Sequence, residues 1–127
     1  MTNGLASRLG AYAGVAAKLG VDAVALVPGP NFTRAVNHAF GSHERPFLLV
    51  IPAAGPAAAL VPNLELGSWD LVGFEGAVFD WRDQDGYGAA FAALLAHLGI
   101  SSLAVEGQVM RVFVHHALRA AQPTLRI

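Results

Sequence analysis

Between Pro46 and Leu64 the chain carries no charged side chain. A run of that length would suffice for a membrane-spanning helix, but Pro46, Pro52, Gly55, Pro56 and Pro62 all fall inside it. Proline lacks a backbone donor and clashes with the preceding turn, and a bilayer admits only helices or closed barrels. The run is therefore buried sheet. It divides into two apolar strands, Pro46 to Ala53 and Ala57 to Pro62, joined through Ala54, Gly55 and Pro56 as a hairpin. Just upstream, the polar and aromatic passage from Asn31 to Arg45 holds His38, His43, Arg34 and Arg45. Function is expected there.

The flanking sequence alternates helical and strand-like patterns. Leu5, Leu9, Tyr12, Ala16 and Leu19 recur at helical spacing, Asn3 can cap that helix, and Gly20 supplies its left-handed stop. Ala23 to Val27 reads as a strand covered on both faces. Asn31 caps a short helix reaching about Ala39, and Asn63 another holding Leu64, Leu66 and Trp69. Val72 to Trp81 contains a strand centred on Ala77, Val78 and Phe79. Asp83 or Asp85 caps a helix to His97; Ile100 to Val105 is a further strand, Gln108 to Ala121 the last helix, and Thr124 to Ile127 a final short strand. The pattern predicts a single α/β domain over residues 1–127, with a three-layer arrangement and a mixed sheet of about six strands flanked by helices on both faces.

Composition narrows the function classes. Eight basic against nine acidic side chains leave no footprint for nucleic acid or an anionic membrane. The absence of cysteine excludes disulfides and thiolate metal sites and fits a cytoplasmic protein. Arg8, Lys18 and Asp22 interrupt the first apolar segment, which does not read as a signal peptide. Charged residues make up 13% of the chain, against about 25% in ordinary soluble domains. Either an alanine-rich composition inflates the apolar fraction, or part of the surface is covered by a second domain or copy.

No constellation of catalytic residues emerges. Asp80, Asp83 and Asp85 before Gly86 lack the further acids of a calcium loop and read as a helix start. His115 and His116 are about 100° apart on a helix and cannot both face one ion. His97 sits at a helix end, favoured by the dipole. Ser42 beside His43 lies outside any G-x-S-x-G elbow, and the V-P-G-P-N turn after the first strand lacks a phosphate cradle.

Order and spacing carry more than any single motif. Gly29, Pro30, Asn31 and Phe32, then Glu44, Arg45 and Pro46, then Ile51, Pro52 and Ala53, then Val61 and Pro62 follow one another as in the amino-terminal domain of the creatinase, prolidase and aminopeptidase P enzymes, which nearly the whole chain resembles. The resemblance implies the ribonuclease H-like fold of the creatinase/prolidase amino-terminal domain. It also implies a non-catalytic half of an Xaa-Pro dipeptidase or related metallopeptidase. The two divalent metal ions would belong to a separate carboxy-terminal pita-bread domain, absent from these residues, so this chain alone would hold no cofactor and hydrolyse nothing. Its partners would be that catalytic domain, a second copy in a homodimer and, through the parent enzyme, short peptides. Phe32, His38, His43 and Arg45 are the implied pocket or inter-subunit residues, Phe32 as an apolar wall and Arg45 or a histidine against a peptide carboxylate. Arg34 to Asn37 departs from the family pattern, in which an aromatic and an S/T-G pair are common. The alternative is a free-standing α/β module binding a small ligand or a partner protein.

Overall fold

A computed structural model describes residues 4–41 and 44–127. The uncharged run forms the hairpin: β2 (Leu48–Pro52) and β3 (Ala58–Pro62) pair antiparallel, and every residue in both is buried. Their apolar side chains face helices on both sides, each buried Leu, Val or Ile contributing about 1.5–3 kcal/mol. Around them the sheet adds β1 (Ala23–Leu26), β4 (Ala77–Trp81) and β5 (Leu103–Val105) in the order β4-β3-β2-β1-β5. β1 runs antiparallel to β2 and parallel to β5, while β3 and β4 are parallel.

One face packs against α1 (Leu5–Leu19), α2 (Pro30–Val36) and the short α3 (Leu66–Trp69). The other packs against α4 (Gly88–Leu98) and α5 (Val112–Ala121). Three layers with a mixed sheet are as predicted. The strand count is five with the beginnings of a sixth: Arg126 bridges Ser102 in parallel, through Leu103 N–H to Arg126 O at 2.8 Å and Arg126 N–H to Ser101 O at 3.0 Å. The start of β5 is tied to the α1–β1 turn, where Asp22 Oδ2 accepts from Ser101 N–H at 2.7 Å and buried Ser102 Oγ accepts from Asp22 N–H at 2.9 Å.

Several helix ends differ from expectation. Gly20 ends α1 at φ 72°, as its position predicts, but the start falls at Gly4, and Asn3 lies outside the described residues. Gly29 precedes α2, so Asn31 is in its first turn. Neither Asp83 nor Asp85 caps α4, which begins at Gly88 after a turn closed by the Arg82–Gly86 bridge. Asp83 is drawn instead to Arg45, a partner distant in sequence. Glu106 O accepts from Val109 N–H and Met110 N–H, and this turn delays α5 to Val112. Leu19, which shares the helical spacing of the apolar residues of α1, is 60% exposed.

Candidate functional site

Strand pairing gathers the candidate residues at one end of the sheet. Leu26 opposite Leu49, Pro62 beside Trp81 and Ala25 beside Val105 put the carboxyl ends of β1, β3, β4 and β5 next to the entry to β2. Residues 28–41, 44–47, 63, 82–87 and 106–111 therefore share one rim. Trp81 fixes part of it by donating from Nε1 to Pro46 O at 3.2 Å.

Phe32 lies under this rim with none of its surface exposed. Its ring meets Phe47 at 5.2 Å, Phe40 at 5.9 Å and Trp69 at 6.2 Å, the first two edge-on. His38, half-buried, stacks against Phe40 at 4.6 Å. Phe32 and His38 are thus linked through Phe40, with Phe32 buried beneath and lining no pocket. His43 lies outside the described residues.

Arg45 stands apart from that cluster and makes a two-pronged pair with Asp83, Nε to Oδ1 at 2.9 Å and Nη2 to Oδ2 at 2.6 Å. Glu44 adds a looser contact at 3.6 Å. Beside the pair, a cleft of about 110 Å³ is lined by Pro62, Asn63, Leu64 and Trp81, and Asn63 Nδ2 donates to Asp80 Oδ2 at 3.0 Å. Hydrogen bonding to the guanidinium holds the Asp83 carboxyl below the usual aspartate range and raises Arg45 further. An exposed pair of this kind stabilises little and is weakened by salt.

A group whose folded-state pKa is depressed stabilises the fold above its unfolded pKa and loses that contribution as pH falls through the folded value. The melting-temperature gap between the native chain and Asp83→Asn should therefore close as pH falls below the ordinary aspartate range, and should shrink in high salt. A gap unchanged at low pH would contradict the pairing.

A second polar group at the same rim was not legible as a site. Tyr12 OH donates to Asn31 Oδ1 at 3.1 Å, and Asn31 Nδ2 donates to Glu106 Oε2 at 2.6 Å. Burial raises the Tyr12 pKa, Arg34 opposes that rise and Glu106 adds to it. In sequence these three read as a core helix residue, a helix cap and a turn residue, and only the pairing of β1 with β5 joins them.

A hollow of about 430 Å³ opens at the opposite end of the sheet among Val21, Asp22, Pro52, Pro56 and His97, where Asp22 Oδ2 already accepts from the N–H groups of Ser101 and Ser102. No group of three or more His, Asp or Glu side chains able to hold a metal ion occurs among the described residues. No helix among them is long and apolar enough to cross a membrane.

No family model and no curated protein matches the chain. Solved structures do. A dipeptidase from Mycobacterium ulcerans is similar at 26% identity and TM-score 0.80, over 99% of this chain and 34% of that one. The N-terminal domain of an Xaa-Pro dipeptidase from Lactobacillus brevis is 20% identical with TM-score 0.77, covering 90% of this chain and 87% of that one. The creatinase/prolidase N-terminal domain of an X-Pro dipeptidase from Streptococcus pyogenes is 16% identical with TM-score 0.82, over 95% and 92%. The chain has the fold of a creatinase/prolidase amino-terminal domain, as its order of turns and strands implies, and spans about a third of the length of the mycobacterial dipeptidase.

Proposed function

We propose that this chain serves as the non-catalytic amino-terminal domain of an Xaa-Pro dipeptidase or related metallopeptidase. In that role it supports dimerisation and restricts access of short peptides to a metal site carried on another domain. The observation that carries this reading is the extent of the likeness. The chain is nearly coextensive with domains described as amino-terminal parts of Xaa-Pro dipeptidases, and matches only a third of a longer dipeptidase.

The surface chemistry agrees with such a role. The outward side of α4 carries Ala89, Ala92, Ala93 and Ala96 with His97 near its end, and Val112 at the start of α5 is 67% exposed. Alanine loses no rotamer freedom on burial, so another surface can cover this face at little entropic cost. Arg45 keeps a planar fork of donors at the rim, already aligned by Asp83 and able to exchange that carboxylate for a peptide's.

The test is hydrolysis of an Xaa-Pro dipeptide by the purified chain with manganese, cobalt or zinc added. The expected result is no release of proline above the uncatalysed rate. Metal-dependent turnover would overturn the reading.

A further inference from the structure

β1 and β5 are adjacent and parallel, yet at their carboxyl ends the chain departs to opposite faces. From β1 it enters α2, beside α1; from β5 it enters α5, beside α4. Such a reversal opens a crevice outside the strand ends, the usual place for a small ligand in an open α/β sheet.

The crevice here measures about 290 Å³ and lies between α1 and the sheet. Val15, Leu19, Val24 and Ala104 give it an apolar wall, while Tyr12, Asn31 and Glu106 supply the polar groups. Leu19 and Val15 stand 60% and 45% exposed along it, an apolar surface left without cover.

The polar groups leave one hydrogen-bonding position open. Glu106 Oε2 takes the Asn31 amide, but Oε1 is shut off from solvent and meets no donor among the described residues. An ionised carboxylate only accepts, so the missing group is a donor, and a cationic donor makes the stronger bond. Glu106 lines the crevice, and its soft terminal torsion lets Oε1 turn to the opening as the bond from Asn31 to Oε2 loosens. Arg8 and Arg34 line an adjoining hollow, across a wall formed by Tyr12, Val15 and Asn31, and no cationic side chain lines the crevice itself.

We propose that this crevice binds a primary aliphatic ammonium, its nitrogen on Glu106 Oε1 and its chain along Val15, Leu19 and Val24. The proposal is independent of the peptidase reading, since it uses no residue assigned there.

Amide NMR of the full chain, titrated with n-pentylamine, n-pentanol and valerate, tests it. The amine should give saturable shifts at residues 24–26 and 104–107 in the millimolar range, about tenfold tighter than the alcohol, a margin of one charge-assisted bond. Valerate should give none. Glu106→Gln should erase the margin, and Leu19→Lys, at an exposed position, should block the crevice with a tethered ammonium even if the first variant folds poorly. Equal binding of amine and alcohol, or undiminished amine binding in Leu19→Lys, would overturn the proposal.

Discussion

Phe32→Ala is expected to lower the unfolding free energy by about 3–5 kcal/mol, the usual cost of truncating a fully enclosed aromatic side chain. Phe32 is held by Phe40, Phe47 and Trp69 and has no exposed surface. Removing it takes away the burial of the ring, its edge-on contacts and the support for Phe40, on which His38 rests. Domains of this size are stable by only about 5–15 kcal/mol, so the variant should melt at much lower temperature or fail to accumulate. Urea unfolding measures this directly. A loss below about 1 kcal/mol would mean that the ring is not enclosed and could line a pocket after all.

Gly76→Ala should be nearly as damaging, for a different reason. A methyl group built on Gly76 would come within 2.2 Å of Ala57 O and 2.6 Å of the Phe74 ring. Phe74 can turn aside, but Ala57 directly precedes β3, and its carbonyl cannot retreat without disturbing the pairing of β3 with β4. Overpacking that forces side chains and backbone to shift costs about 1–3 kcal/mol and occasionally more, and a clash with a strand carbonyl places the variant at or above the upper end. Thermal unfolding of Gly76→Ala against Gly73→Ala separates the two effects. Gly73 has open space around its Cβ position, and its cost would come only from its φ of 74°. Equal melting temperatures for Gly76→Ala and the native chain would refute the close approach.

Those two residues mark what could be read from the chain and what could not. The hairpin, the α/β layering and the Gly20 stop follow from local rules, because proline, glycine and unbroken apolar runs restrict the backbone wherever they occur. Gly76, by contrast, looks like a residue that weakens a strand; its need to be small comes from Ala57, brought close only when β4 pairs with β3. The site followed the same division. Phe32 and His38 meet through Phe40, while Arg45 stands apart with a partner 38 residues away, and that partner, Asp83, reads locally as a helix cap. Tyr12, Asn31 and Glu106 carry no local signal, since the Asn31–Glu106 bond spans 75 residues and forms across a parallel strand pair that neither neighbourhood encodes.

The proposed role requires that these residues hold no metal pair of their own. Equilibrium dialysis of the purified chain against micromolar manganese, cobalt and zinc measures this without assuming any substrate. The prediction is less than one tightly bound equivalent per chain for each ion. Two tightly bound equivalents per chain, retained by a protein whose circular dichroism remains native, would contradict the proposed role of this domain as a platform for a metal site located elsewhere.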